Sequence, residues 1–336
     1  LGHLCGGGPM ANFEAVWVSR EITNGKSVAA SGQSHYTHAR LSAVLGVPFV
    51  KVPTDRRGRM DVAALEQLLL LHDVGTVVAT LGTTAAGAVD PLDEILALRE
   101  RYGFRLHVDA AYGGYFGLVD NLDAEVTRRF RLIDQADSVV VDPHKHGLQP
   151  YGCGCVLFRD PSVGAFYRHD SPYTYFTSSD LHLGEISLEC SRPGAAAAAL
   201  WSTLRLLPLE RGGEFAGMLG SCRDAAIALH RHLDEHRRFV PLFAPELDIV
   251  VWAIEEDSAS ASSKRARELF DAAARQELHL ALASFPRAQC ESAAPVSSWD
   301  EEQLVCVRAC VMKPEHRAWM PRIIERLDRA TAALGD

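Results

Sequence analysis

Short apolar runs alternate with amphipathic stretches through the first part of the chain. The apolar runs lie at 28–30, 48–52, 76–81, 105–108, 138–141 and 154–158. Their length and their β-branched residues predict strands. Helices are predicted at 13–21, 35–45, 62–71 and 91–101, with Asp61 as a cap of the third and Gly46 at the end of the second. This alternation predicts a largely parallel sheet covered by helices on both faces.

The pattern changes from about residue 208 onwards. The later part predicts a long helix at 215–236, a strand at 247–253, a polar loop at 258–263, a helix at 264–276, strands near 278–284 and 304–311, and a last helix at 314–334. We therefore expect a large domain at 1–207 and a smaller C-terminal α/β domain at 208–336.

Composition and charge exclude several classes of protein. The chain has 336 residues, 47% of them hydrophobic, and a formal net charge of -9, which is typical of a globular protein with a substantial core. It has no basic stripe interleaved with aromatic residues, so nucleic acid is not expected as a partner. No apolar run reaches the roughly 18 residues that a membrane span needs, and no secretory signal is found at the start of the chain.

The cysteines indicate a reducing compartment. There are eight, scattered along the chain, which favours free thiols in a cytoplasmic protein over a disulfide framework. Cys153 and Cys155 form one candidate metal-binding pair, and Cys306 and Cys310 form another. Neither has a second pair at zinc spacing, so we expect buried structural cysteines and no metal site.

Polar residues follow three of the predicted strands, at the point where each strand ends. Thr83 and Thr84 follow the run at 76–81, Asp109 follows 105–108, and the segment Asp142-Pro-His-Lys145 follows 138–141. Ligands of parallel sheets bind beyond the carboxyl ends of the strands. The sequence therefore predicts a site at this edge of the sheet.

Lys145 and Asp109 suggest the chemistry of this site. A lysine held at a strand end after proline and histidine can be desolvated and form a Schiff base with a carbonyl cofactor. An acid after a buried strand needs a cationic partner, which a pyridinium nitrogen supplies, and Ala111 would let a flat ring lie against the backbone. Taken singly, Lys145 also fits a surface lysine and Asp109 a helix cap.

The two motifs together carry a family resemblance. Asp109-Ala-Ala-Tyr-Gly-Gly and Asp142-Pro-His-Lys145 resemble the group II pyridoxal-dependent decarboxylases, which include aromatic amino acid, glutamate, histidine and archaeal tyrosine/aspartate decarboxylases. The resemblance runs from about Gly6 to Met312. It implies a fold-type I, aspartate aminotransferase-like large domain with a mainly parallel seven-stranded sheet, a smaller C-terminal α/β domain and a homodimer. It also implies that the family's N-terminal segment is missing here.

The resemblance assigns roles to individual residues. Lys145 would bind pyridoxal 5'-phosphate covalently, and Asp109 would pair with the ring nitrogen. His35 would stack on the ring and help to orient the substrate carboxylate. Thr84 would lie close to the cofactor. His144 and Asp142, which flank the lysine, would help to hold the cofactor.

A glycine-rich segment near the start is expected to bind the cofactor phosphate. Gly7, Gly8 and Pro9 precede a predicted helix, whose first N–H groups can cradle an anion. The family usually has Ser or Thr where this chain has Pro9, which supplies neither a hydroxyl nor an N–H. The segment also fits a dinucleotide fingerprint by spacing, but no adequate strand is predicted before it and no acid follows at a strand end.

Three further residues are candidates for contact with the substrate. Arg192 matches an arginine-bearing segment of the family and would bind a substrate carboxylate or make a structural ion pair, both of which stay open. His146 and Tyr175 are the other two. The reaction expected is decarboxylation of an L-amino acid to an amine and CO2. Transamination, carbon–carbon lyase chemistry, oxidative deamination and a catalytically silent relative remain as alternatives.

Overall fold

A mainly parallel sheet forms the first part of the computed structural model, which describes residues 1–168, 187–190, 192–293 and 296–335. Within these residues the sheet has seven strands in the order β1-β7-β6-β5-β4-β2-β3. Strands β2 to β6 pair in parallel, whereas β7 is antiparallel to both β6 and β1. The strands are β1 (Gly2–Cys5), β2 (Ser27–Ser31), β3 (Phe49–Val52), β4 (Val74–Thr80), β5 (Arg105–Asp109), β6 (Ser138–Val141) and β7 (Gly154–Phe158).

Helices pack against this sheet and connect its parallel strands. They are α1 (Gly8–Thr23), α2 (Thr37–Leu45), α3 (Val62–Leu71), α4 (Leu92–Tyr102) and α5 (Ala124–Phe130). The predicted cap is present, since the Asp61 side chain accepts a hydrogen bond from the Ala64 N–H at 3.0 Å. Gly46 ends α2 with φ of 66°, a backbone conformation that glycine adopts without strain. Every residue of β4 is buried, as expected for a central parallel strand.

A second, antiparallel sheet follows later in the chain. Its four strands, counted over the described residues, have the order β11-β13-β9-β8. The remaining elements are α6 (Ala195–Leu206), α7 (Glu214–Glu235), β8 (Phe239–Pro241), β9 (Ile249–Ile254), β10 (Glu256–Ser258), α8 (Ala259–Arg275), β11 (Ala281–Pro286), α9 (Arg287–Cys290), β12 (Val296–Ser298), β13 (Gln303–Cys310) and α10 (His316–Ala332).

Helix α7 contributes side chains to two hydrophobic cores. Its beginning, with Phe215 and Leu219, packs into the core of the parallel sheet. Its later residues Leu229 and Leu233 pack into the core between the second sheet and helices α8 and α10. The division into domains at 207/208 stays a prediction.

One prediction of secondary structure is wrong, and one strand lies outside the predictions. The segment 258–263 is not a loop, because Ser258 caps α8 and its side chain accepts from the Ala261 N–H at 3.2 Å. The polar side chains inside this helix are bonded: the Ser262 hydroxyl donates to the Ile254 carbonyl at 2.6 Å, and the Ser263 hydroxyl accepts from the Val305 N–H at 3.0 Å. Strand β1 was not predicted, because its only support is its pairing with β7, 150 residues further along.

Three findings on the described residues concern membrane-spanning helices, cysteines and metal-binding groups. None of their helices is both long and apolar enough to cross a membrane. All eight cysteines lie in the described part and are free thiols, although Cys190 is exposed. No group of three or more His, Cys, Asp or Glu side chains in that part is placed to hold a metal ion.

Candidate active site

The ends of β5 and β6 bring the two polar motifs side by side. The strands are in register, with Asp109 opposite Val140. Beyond the last ladder bonds, the Asp142 N–H donates to the Ala111 carbonyl at 3.2 Å. Because both strands end at the same edge of the sheet, the segments 109–111 and 142–145 lie next to each other at that edge.

Lys145 is anchored by a buried carboxylate. Its Nζ lies 3.0 Å from Oδ2 of Asp142, and the lysine side chain is 32% exposed while that of Asp142 is 1% exposed. The His144 Nε2 lies 3.5 Å from the same oxygen. Burial raises the pKa of Asp142 although the Lys145 charge opposes this shift. The amine is therefore fixed at the sheet edge and remains accessible.

Asp109 is a buried carboxylate that stays ionised. It is 4% exposed, and its Oδ2 lies 2.8 Å from His38 Nε2. Burial by itself raises the pKa of Asp109, but the hydrogen bond from His38 and the positive charge of Lys145 oppose burial, and this pKa lies well below its usual range. A fixed negative charge therefore lies within electrostatic reach of the amine.

His35 and Ala111 border this charge, and Thr84 is an exposed residue beyond the end of the neighbouring strand β4. His35 is half-buried, and burial lowers its pKa against the opposing effect of Asp109. Its Nδ1 accepts from the Thr37 N–H at 3.3 Å. Ala111 is buried and donates its N–H to Asp109 Oδ1 at 3.1 Å. Thr84 is exposed, whereas Thr83 is buried and its hydroxyl oxygen closes the turn by accepting from the Ala88 N–H.

The glycine-rich segment packs directly on the lysine motif. Gly7 has φ of 142°, a conformation rarely open to other residues. A Cβ on Gly8 would lie 2.5 Å from Asp142 Oδ2, and one on Gly154 would lie 2.5 Å from the Gly7 backbone. Only glycine leaves room for so close an approach. The segment runs into α1, with Pro9 in the first turn.

The start of α1 can attract an anion. The first N–H groups of a helix have no partner inside the helix and carry its positive dipole end. In the structure a carboxylate already bonds beside them, since the Gly6 N–H donates to Glu189 Oε2 at 2.8 Å. Strand β1 does precede this segment, contrary to expectation, but it is an edge strand antiparallel to its neighbour. The parallel βαβ setting of a dinucleotide site is therefore missing.

The His146 side chain is buried and hydrogen-bonded inside the protein. It is 3% exposed, and both ring nitrogens are engaged: Nδ1 lies 2.9 Å from the Tyr112 carbonyl oxygen and Nε2 lies 2.8 Å from Asp248 Oδ2. The Tyr112 hydroxyl donates to Asp248 Oδ1 at 2.8 Å. Burial, with the charge of Asp248, raises the pKa of Tyr112 well above its usual value. His146 therefore ties the segment that follows Lys145 to Asp248, the residue directly before strand β9 of the second sheet.

The other two substrate candidates have different outcomes. Arg192 donates from Nη1 to the Leu4 carbonyl, a bond to the backbone. Together with Glu189 it lines a cavity of about 830 Å³ that also borders Gly6 and Tyr151. Tyr175 lies outside the described residues.

Comparison with known proteins then decides the family. The family model described as the pyridoxal-dependent decarboxylase conserved domain matches residues 10–254. The chain belongs to the pyridoxal-dependent decarboxylase family.

The chain is also similar in sequence to individual decarboxylases. The L-tyrosine decarboxylase of Enterococcus faecium is 32% identical over 289 residues, which cover 69% of this chain and 47% of that protein. The probable L-tyrosine/L-aspartate decarboxylase of Methanothermobacter thermautotrophicus is 28% identical over 258 residues, covering 75% and 67%. The chain thus spans about half to two thirds of the length of these relatives.

A solved structure shows the same fold. The crystal structure of Oryza sativa TDC with PLP and tryptamine matches with a TM-score of 0.81 at 17% identity, over 99% of this chain and 71% of that chain. The predicted fold-type I architecture of the pyridoxal-dependent enzymes, with its mainly parallel seven-stranded sheet, is confirmed.

The cofactor of the decarboxylase family is pyridoxal phosphate, and the residues present fit it. An accessible amine at Lys145, a buried anion at Asp109 and a glycine turn without room for a Cβ are the features that a carbonyl, a pyridinium and a phosphate require. Four further residues of this region were missed by the sequence analysis: Asn12, His38, Tyr112 and Asp248. The spacing of His38 three residues after His35 was the one available signal.

Asp248→Ala is expected to destabilise the protein by about 3 kcal/mol, because it leaves the buried His146 and the Tyr112 hydroxyl without their acceptor. The midpoint of urea unfolding measures this effect. Asp328→Ala is the matched control, since Asp328 makes a similar bond to His232 at 2.9 Å but the two side chains are 46% and 23% exposed, and such pairs contribute under about 1 kcal/mol. Equal shifts in the two variants would contradict the coupling of His146 to the second sheet.

Proposed function

We propose that this chain catalyses the pyridoxal phosphate-dependent decarboxylation of an L-amino acid to the corresponding amine and CO2. The observation that carries the proposal is the pairing, in a chain of this family, of the accessible Lys145 amine with the buried Asp109 carboxylate at adjacent strand ends. Because the chain spans only part of its relatives, the activity is proposed for the protein that contains it.

The chain's residues would divide the work as follows. Pyridoxal phosphate supplies an electrophilic carbonyl and a ring that withdraws electrons from the bond to the departing CO2. Lys145 presents the amine that binds the carbonyl, and Asp142 orients this amine through its 3.0 Å contact. Asp109 holds a negative charge where the ring nitrogen needs a proton. The N–H groups of the closely packed Gly7 and Gly8 would bind the phosphate, and Pro9, which has no N–H, would border it at the start of α1.

His35 would cover the ring and handle the carboxylate end of the substrate. It is half-buried beside Asp109 and Lys145, as their effects on its pKa indicate, and burial lowers that pKa. An imidazole whose Nδ1 accepts from a backbone N–H carries its proton on Nε2 when neutral. His35 can therefore donate this proton to the substrate. Ala111, His144 and the exposed Thr84 complete the proposed cofactor contacts.

The substrate is proposed to be an aromatic or an acidic amino acid. The named relatives are tyrosine and tyrosine/aspartate decarboxylases, and Arg192, exposed to the cavity it lines, is the cation available for an acidic side chain. A homodimer is proposed as well. No residue of α6 is buried although the helix is rich in alanine and leucine, and Trp201 is 66% exposed. A second copy would cover this surface. The free cysteines support a reducing, cytoplasmic location.

The proposal is tested by product analysis. The purified protein is incubated with pyridoxal phosphate and each standard amino acid, and CO2, amine, keto acid and aldehyde are measured. Decarboxylation predicts CO2 and amine in equal amounts from one substrate class. Keto acid as the main product would indicate transamination or oxidative deamination, and aldehyde would indicate carbon–carbon cleavage. A protein that neither binds the cofactor nor releases any product would be a silent relative.

A further inference from the structure

His38 is a fully buried histidine directly behind the proposed site. It lies in the first turn of α2, three residues after His35, and its accessible surface is 0%. Its backbone N–H donates to the His35 carbonyl at 3.1 Å, so the two histidines are one turn apart. His35 stays half-exposed at the site, while His38 reaches Asp109 from within the protein.

Within the part of the chain that the structure describes, the hydrogen bonds to Asp109 can be counted atom by atom. Oδ2 lies 2.8 Å from His38 Nε2 and 3.4 Å from Asn12 Nδ2, and Oδ1 accepts from the Ala111 N–H at 3.1 Å. A carboxylate oxygen accepts about two hydrogen bonds. Oδ2 is therefore saturated by protein donors, and one acceptor position is left on Oδ1. The carboxylate is held in one orientation with a single position free for a further donor.

A buried chain of hydrogen bonds orients the Asn12 amide so that its NH2 group donates to Asp109. Its Oδ1 lies 2.8 Å from His107 Nε2, and His107 Nδ1 lies 2.8 Å from the Ser138 hydroxyl. Burial lowers the pKa of His107 to about 3, so this ring is neutral and carries one proton. With that proton on Nε2, Asn12 accepts from His107 and donates to Asp109. Each hydrogen bond from Ser138 through His107 and Asn12 to Asp109 then has one donor and one acceptor.

His38 makes the shorter of the two bonds to Oδ2. Among the described residues its Nδ1 has no hydrogen-bond partner. A proton on Nδ1 would be a buried donor without an acceptor, which costs about 1–3 kcal/mol. The pattern therefore requires a proton on Nε2, where it is donated to Asp109.

We propose that His38 is a positioning residue for the decarboxylation, whose Nε2–H keeps Asp109 ionised and oriented so that its free acceptor position holds the cofactor's ring nitrogen in the protonated form. This proposal rests on the proposed function, and specifically on the role of Asp109. His38 touches neither cofactor nor substrate. It acts through the carboxylate alone.

Two variants with side chains of nearly equal shape distinguish loss of the hydrogen bond to Asp109 from loss of packing at position 38. His38→Gln keeps an N–H at the position of Nε2, and His38→Met fills a similar volume without a donor. In the methionine variant this hydrogen bond no longer holds Asp109 ionised and oriented, so we expect kcat to fall about tenfold, the size of one hydrogen bond to a charged group, with KM changed by less than about twofold. The acid limb of the kcat profile moves to higher pH. The His38 variants leave unchanged the other charged or titratable groups that act on Asp109. These groups are His107, Lys145, His35 and Asp142.

The visible absorption of the bound cofactor, recorded from low to high pH, is the readout that a merely structural role would not move. We expect its pH midpoint to shift in His38→Met and to return towards wild type in His38→Gln. His232→Leu, at the exposed pair with Asp328, controls for loss of a histidine–aspartate bond elsewhere. If methionine prevents folding, His38→Leu replaces it in the same comparison.

The outcomes are distinct. A His38→Met protein with unaltered spectrum and kcat overturns the proposal, as do glutamine and methionine variants with equal losses in both. A wild-type protein that shows no visible band with pyridoxal phosphate overturns the proposed function and this inference with it. A normal wild-type band with unchanged variants overturns this inference alone.

Discussion

Lys145→Ala is expected to lower the rate of CO2 release by about a thousandfold or more, which corresponds to about 4 kcal/mol of transition-state stabilisation. The variant loses the amine that binds the cofactor carbonyl and has no other described group in its place. It also leaves the buried Asp142 without the ammonium that lies 3.0 Å from it. Steady-state rates with saturating cofactor measure the first effect, and the visible absorption band of lysine-bound cofactor should disappear.

Lys145→Arg separates the chemistry from the ion pair. Arginine keeps a positive charge near Asp142 but does not form a Schiff base at neutral pH, because its guanidinium stays protonated. The arginine variant should therefore unfold close to wild type in urea and yet be as inactive as the alanine variant. A visible band and CO2 release that persist in Lys145→Arg would contradict the assignment of this lysine.

Local sequence patterns were sufficient for the parallel sheet and for the polar ends of its strands. The strands at 138–141 and 154–158 and the helix at 62–71 coincide with the observed elements, because apolar periodicity and caps act within a few residues. Asp109 and Asp142-Pro-His-Lys145 could be placed at one edge for the same reason: each comes directly after a buried strand, and parallel strands end together.

Contacts between distant segments could not be predicted in this way. His146 and Asp248 are 102 residues apart, and nothing near either residue indicates that they meet 2.8 Å from each other. The sequence indicates a substrate role for His146 only through its place directly after Lys145. His38 was missed because a buried histidine on a short helix also fits a packing role. Its function depends on Asp109, 71 positions later.

Asp109→Asn is expected to lower kcat by about 100- to 1000-fold, because the amide has no charge with which to keep the ring nitrogen protonated. The substitution also disturbs the bonds inside the protein. Asp109 accepts from His38 on Oδ2 and from the Ala111 N–H on Oδ1. An asparagine presents its NH2 to one of these two donors, so one bond is lost unless the His38 proton moves to Nδ1. Rates at saturating substrate and the pH dependence of the cofactor band measure the chemical effect.

The effect on stability has a definite dependence on pH. Because the pKa of Asp109 is depressed in the folded protein, its ionised form contributes stability above the ordinary carboxyl pKa of about 4, and this contribution is lost as the pH falls through the folded-state value. The difference in urea midpoint between wild type and Asp109→Asn should thus be full at neutral pH and shrink below about pH 4. A difference that grows in acid would contradict an ionised Asp109.

Asp90→Asn distinguishes loss of charge at the site from loss of a buried carboxylate in general. Asp90 is 0% exposed and accepts from the Met60 and Thr80 N–H groups at 2.7 Å each, so an amide there also opposes a backbone donor. Burial raises the pKa of Asp90 to about 7, the opposite of the shift at Asp109. We therefore expect Asp90→Asn to lower the urea midpoint and to leave kcat unchanged. A comparable fall of kcat in both variants would mean that Asp109 serves packing and hydrogen bonding, with no special relation to the cofactor ring.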